Sequence, residues 1–217
     1  DTFDMDMERE LEAFEKKYRI VLDSVQKEAV IQSMRNGIVV ITGGPGTGKT
    51  TTIKAIIGIF EEKGLKVALA APTGRAAKRM AQACGKEAST IHRLLEFSYQ
   101  EDEHISAFGR DEDNPLDCEV LIIDEVSMVD ILLMHHLLKA VRPGTRLVMV
   151  GDVDQLPSVG AGSVLRDIIT SGVVRVVRLK TIFRQQGESS IVVNAHRINE
   201  GRYPVTNARD GDFFFIE

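Results

Sequence analysis

Between Ile38 and Thr52 the chain reads IVVITGGPGTGKTTT: a β-branched apolar run, a glycine-rich turn, then residues suited to open a helix. Gly43 to Thr50 satisfies G-x-x-x-x-G-K-[ST] in the strand-to-helix setting that a phosphate loop requires. Gly43, Gly46 and Gly48 allow backbone angles that a Cβ penalises, so the backbone of Gly43, Gly44, Pro45, Gly46, Thr47 and Gly48 can wrap an anion. The helix that follows adds its unpaired N–H groups and positive dipole end near Thr50 and Thr51. Lys49 supplies a point charge among the β- and γ-phosphates, and the Thr50 hydroxyl suits Mg²⁺. An ordinary glycine-rich turn does not need all of these residues in this order. The stretch therefore implies binding of a nucleoside triphosphate with Mg²⁺.

The rest of the chain alternates strand-like and helix-like segments. Asp4 to Tyr18 reads as a charged, solvent-facing helix, and Asp23 to Met34 as a capped amphipathic one. Further strands are expected at 65–71, 120–123, 146–150, 173–179 and from Phe213, with helices at 50–63, 75–83, 89–95, 131–141, 162–171 and 189–200. Short turns between alternating elements predict an α/β fold, a parallel sheet with helices on both faces. Ligands in such folds sit beyond the carboxyl ends of the strands, where every candidate residue here falls. The acidic, polar stretch of about 96–117 interrupts the alternation and is expected to be a small inserted hairpin or subdomain.

Val120 to Ile123 delivers Asp124 and Glu125 at a strand end. Asp124 suits a metal-linked role and Glu125 a general base for an attacking water, which points to hydrolysis. No N-K-x-D base-recognition motif of the GTPase kind is present. Gln155 follows another strand, where it either senses a γ-phosphate or is simply a loop residue. Arg184 follows a fifth strand, either as a phosphoryl-stabilising arginine or as a surface residue. His135, His136 and His196 lack metal-ligand spacing, and Cys84 and Cys118 read as free thiols of a reducing cytoplasm. No apolar run approaches the ~20 residues that span a bilayer.

Net charge is −5, yet it is unevenly spread. Residues 1–23 hold 8 acidic and 4 basic side chains, and residues 96–119 hold 9 acidic and 1 basic. Setting both aside leaves 15 acidic against 22 basic, a body compatible with a polyanionic partner. Pro72, Thr73 and Arg75, together with Thr90 and His92, combine hydroxyls, helix-start amides and cations of the kind that contact nucleic-acid phosphate and sugar.

Taken in order, Gln26, GGPGTGKT, APTGRAAKRM, STIHRLL, LIIDEVSMVD, VGDVDQLPSVGAG and LKTIFRQ resemble the motif series of superfamily 1 (1B) DNA helicases, and in wording the RecD family. The resemblance covers roughly residues 22–205. It implies a RecA-like ATPase domain acting 5′→3′ on single-stranded DNA in the bacterial cytosol. By the family pattern Gln26 recognises adenine, Lys49 and Thr50 bind phosphate and Mg²⁺, and Asp124 and Glu125 are the metal-linked and catalytic acids. Gln155 and Arg184 are γ-phosphate residues, and Pro72, Thr73, Thr90 and His92 fall in segments that line the DNA.

The expected organisation is an N-terminal helix and linker over 1–23 and a first motor domain over 24–217, with a strand-separating pin at about 96–117. Nothing after LKTIFRQ resembles the second RecA-like domain of such helicases. The chain alone is therefore expected to turn over ATP weakly or not at all, with that second domain and possible nuclease-complex subunits as partners. Two other readings remain: the motor segment of a conjugative relaxase-helicase, and a nucleotide-dependent binding module without turnover.

Overall fold

The computed structural model describes residues 2–100, 105–181, 189–206 and 212–213. Its centre is β1 (Ile38–Thr42), whose residues Val39 to Ile41 are fully buried. It pairs in parallel with β7 (Arg146–Gly151) on one side and β8 (Arg175–Arg178) on the other. Beyond β7 follow β6 (Val120–Ile123), β2 (Val67–Ala71) and the two-residue β3 (Ser89–Thr90), giving the order β3-β2-β6-β7-β1-β8. These short β-branched and Leu-rich runs are apolar on both faces because both faces are covered. All strand ends that carry candidate residues consequently open on one edge.

Strand alternation divides the core in two. Val39 and Ile41 face a cluster built with α2 (Ser24–Arg35), α3 (Lys49–Glu62) and α4 (Gly74–Cys84). Val40, Leu121 and Ile123 face the cluster of α5 (Ile91–Leu94), α6 (Ile131–Ala140) and α7 (Val164–Ser171). The expected α/β architecture with helices on both faces is what the chain adopts.

One expectation is corrected. Helix α1 (Thr2–Tyr18) is not solvent-facing: Met7, Leu11 and Phe14 are 4%, 1% and 3% exposed and belong to the first cluster. Their spacing puts all three on one stripe of the helix, and the charges that suggested exposure occupy the other faces. The Phe14 ring lies where a Cβ on Gly58 of α3 would stand, within 2.4 Å. Burial of each such side chain stabilises by roughly 1.5–3 kcal/mol, enough to fix α1 to the domain.

The acidic stretch contains an antiparallel pair, β4 (Phe97–Gln100) and β5 (Ile105–Phe108), in register Phe97 to Phe108. Aromatic rings root it: Phe97 and Phe108 lie 5.0 Å apart between centroids, and Phe108 stacks at 4.2 Å on His136 of α6. Helix α8 (Ser190–Asn199) lies near the carboxyl edge of the sheet. The strand expected from Phe213 lies almost wholly outside the described residues.

Candidate nucleotide and nucleic-acid site

Beyond β1 the backbone turns through Gly46 (φ 74°) and Gly48 (φ 82°), a left-handed conformation that glycine adopts without a Cβ clash. Gly43 differs from expectation. It does not take a left-handed angle; instead a Cβ there would meet Thr47 Oγ1 at 2.5 Å and Leu179 at 3.0 Å, so its need is for space. The loop is braced from within. Thr47 Oγ1 donates to the Gly44 carbonyl at 2.8 Å, and Lys49 Nζ donates to the carbonyls of Gly43 and Gly44 at 2.5 and 2.9 Å. Thr52 Oγ1 and Gln26 Nε2 both donate to the Gly48 carbonyl, at 2.9 and 3.1 Å.

Gln26 is 1% exposed and closes the capping box of α2, its Oε1 accepting from Asp23 N and its own N–H donating to Asp23 Oδ1. Its carboxamide thus ties the α2 start to the loop and keeps one N–H donor uncommitted in these bonds. Thr50 stands exposed in the first turn of α3, with Thr51 half-buried beside it.

Three carboxylates act on Lys49. Burial lowers its ammonium below the usual lysine range, while Asp152, Asp124 and Glu125, in that order, pull it back up. An ammonium held this way, bonded only to neutral carbonyls, favours the arrival of an anion. Burial likewise pushes the Asp124 carboxyl above the usual aspartate range; the bond from Glu125 N to Asp124 Oδ1 at 2.8 Å opposes this, and the Glu125 charge adds to it. Asp124 and the Thr50 hydroxyl are hard oxygen donors, few in number, which fits a Mg²⁺ that keeps its waters and binds mainly through phosphates.

Within the site, Glu125 is strained: β6 ends at Ile123, and Glu125 lies in the left-handed region (φ 56°, ψ 38°). A non-glycine residue there costs about 1–2 kcal/mol. The turn that follows, Val126–Met128, holds it, with Met128 N donating to the Glu125 carbonyl at 3.0 Å and Val126 fully buried. Arg79 of α4 forms an ion pair with the Glu125 carboxylate.

Gln155 is exposed just past β7, with Ser127 Oγ donating to its Oε1 at 3.3 Å. It lines a cavity of about 670 Å³ with Gly43, Gly44, Asp152, Leu179 and His196. That cavity lies on the β8 side of the loop; Lys49, Thr50, Asp124 and Glu125 are not in its lining. Arg184 falls outside the described residues.

The second group converges on the neighbouring strand ends. Ala71 of β2 is in register with Thr90 of β3, so Pro72, Thr73 and Arg75 stand beside Thr90 and His92. Both threonines cap helices, Thr73 Oγ1 accepting from Ala76 N at 3.2 Å and Thr90 Oγ1 from Arg93 N at 3.1 Å. Arg75 and His92 are exposed, and His92 meets Phe97 edge-on at 5.4 Å.

Residues 26–161 match a family model described as an AAA domain. The chain belongs to that family, and it is RecD-like. It is 41% identical over 192 residues to an ATP-dependent RecD2 DNA helicase of Deinococcus radiodurans, covering 88% of this chain and 26% of that protein. To the RecBCD enzyme subunit RecD of Mycobacterium tuberculosis it is 37% identical over 214 residues, covering 86% and 36%. The crystal structure of Pif1 helicase from Candida albicans superposes with a TM-score of 0.59 at 26% identity, over 85% of this chain and 45% of that one. The RecD-like chain thus spans about a quarter to a third of these two sequence relatives.

Three residues of the RecD-like site escaped the sequence. Asp152 is 6% exposed and the foremost charge on Lys49; it sits at a strand end as Asp124 does, and the same logic applied there finds it. Arg79 carries no mark separating it from Arg75 and Lys78. His196 Nε2 lies 2.8 Å from the Pro45 carbonyl, and its ring is where a Cβ on Gly44 would stand. No local pattern joins positions so far apart.

The raised Asp124 predicts a stability effect. A carboxyl whose folded pKa is raised contributes its stability below the ordinary ~3.9 and loses it as pH rises through the folded value. Asp124→Asn keeps the acceptor for Glu125 N without the buried charge. In thermal melts without nucleotide it is expected to raise Tm by a few degrees at pH 7, the gain shrinking as pH falls toward 4. A lower Tm at pH 7 contradicts the burial argument.

Proposed function

We propose that the chain is the ATP-hydrolysing motor domain of a DNA helicase that moves 5′→3′ along single-stranded DNA in the bacterial cytosol. The observation that carries this reading is the gathering, on one sheet edge, of a half-buried lysine in a phosphate loop, three carboxylates around it and a basic helix beside two capped helix starts. The family membership and the activities for which the relatives are named support it; the polarity rests on the RecD resemblance.

In this reading Mg²⁺ and ATP supply a triphosphate whose terminal phosphoryl is transferred to water. Gly43, Gly44 and Gly46 to Thr51 cradle the phosphates through backbone N–H groups, and Lys49 exchanges its carbonyl partners for phosphate oxygens. Thr50 and Asp124 hold the metal, and Glu125 takes the proton of the attacking water. Gln155 senses the terminal phosphate. Gln26, by way of the Gly48 carbonyl, links adenine recognition to the loop. Arg184 acts on the γ-phosphate, and a second RecA-like domain forms the opposite wall of the cleft. Pro72, Thr73, Arg75, Thr90 and His92 line the strand, and the β4–β5 hairpin acts as the pin. Subunits of a nuclease complex are further partners consistent with the tuberculosis relative.

The decisive experiment measures ATP turnover of the full-length protein with and without single-stranded DNA, and unwinding of duplexes with a 5′ or a 3′ tail. Turnover is expected to rise with DNA, and only the 5′-tailed duplex is expected to open. Turnover indifferent to DNA removes the motor reading; opening of the 3′-tailed duplex alone removes the polarity.

A further inference from the structure

We infer that Arg79 is a positioning residue that restrains Glu125, and that a nucleic-acid phosphate releases it by drawing the guanidinium away. The inference rests on the motor reading above and names the link between its two halves. Glu125 has its backbone fixed in a left-handed turn, so only its side chain remains free to choose a place. That side chain is 18% exposed and its Oε1 is taken by Arg79 Nη2. An oxygen engaged by a guanidinium does not present that lone pair to a water proton.

The other partner points outward. The Arg79 side chain is 68% exposed and lies one helical turn beyond Arg75 on α4, with exposed Lys78 next to it. Helix α4 carries no carboxylate of its own, and among the described residues its basic face pairs with acid at Glu125, just past the end of β6. The same helix begins at Thr73, beside Thr90, on the edge assigned to the polyanion. Phosphate oxygens match the planar fork of arginine in geometry and charge, and a phosphodiester track offers several of them at once. An ion pair with so exposed a cation is held weakly, and a weak restraint is what a competing phosphate can displace. Arg79 thereby stands between the strand track and the hydrolytic carboxylate, touching one while within reach of the other.

The test compares ATP turnover of full-length wild type, Arg79→Ala, Arg79→Lys, Glu125→Gln and the Arg79→Ala/Glu125→Gln double variant, each with and without oligothymidylate. Arg79→Ala is expected to raise DNA-free kcat about two- to five-fold, the scale of an exposed ion pair, at unchanged KM for ATP. Stimulation by DNA should fall by the same factor, and Arg79→Lys should lie between the two. The double variant should be as slow as Glu125→Gln alone, which shows that the gain passes through Glu125. A DNA-free kcat that is unchanged or lowered overturns the inference, as does a variant that only raises the DNA concentration needed for half-stimulation. Wild type indifferent to DNA removes the motor reading and the coupling together, while the DNA-free comparison still reports whether Arg79 restrains Glu125. Because Arg79 is exposed, misfolding is checked by a melt and by the lysine variant.

Discussion

In the full-length protein Glu125→Gln is expected to lower the turnover number for ATP by about 10²–10⁴-fold while leaving ATP binding near that of the wild type. The amide has the same shape and tolerates the same backbone angles, so the turn over Val126–Met128 persists. What it loses is the ability to accept a proton. Lys49 and Thr50 remain in the loop, so the phosphates keep their contacts. Lys49→Ala should contrast with it, losing affinity as well as rate, because it removes the half-buried ammonium that the site presents to an anion. Rapid-quench turnover and a fluorescent-nucleotide titration separate the two effects. A loss below tenfold in Glu125→Gln places the base elsewhere, with Asp152 the next carboxylate to test.

Phe14→Ala is expected to cost about 3–5 kcal/mol, the usual penalty for emptying a buried aromatic site. For a domain of this size that lowers Tm by roughly 6–20 °C. The ring is 3% exposed, stacks with Tyr18 at 4.4 Å between centroids, and covers Gly58 closely enough to exclude a Cβ. Gly58→Ala should therefore destabilise on its own, by about 1–3 kcal/mol from overpacking. The double variant should be less damaging than the sum, because the new methyl enters the space the ring vacates. Had α1 been a surface helix, Phe14→Ala would change stability by no more than about 0.5 kcal/mol. Calorimetry on the four proteins decides between the two pictures.

The phosphate loop was legible because its determinants are local: glycine conformations, one lysine and a helix start lie within a dozen residues of each other. The same holds for the strands that flank it, whose apolar runs are buried on both faces whatever their neighbours. Asp124 and Glu125 were legible as acids at a strand end, but not the left-handed turn that aims Glu125, since no glycine or asparagine announces it. The helix starts near Thr73 and Thr90 were readable too, although Ser89 and Thr90 form β3 instead of the first residues of the helix expected over 89–95.

Packing decided the rest. Whether the charged N-terminal helix lies in water or in the core depends on Gly58, more than forty residues away, leaving room for the Phe14 ring. Whether Arg79 is one surface cation among several depends on strands β2 and β6 lying side by side, which brings α4 over Glu125. Gly44 owes its lack of a side chain to His196 of α8, and Lys49 feels Asp152 because β1 and β7 are neighbours. Sequence alone thus determined that this chain folds as an α/β sheet around a phosphate loop, because backbone conformation and burial period are local properties. Which charges meet around that loop was left to the tertiary structure, because ion pairs form between residues that only strand order brings together.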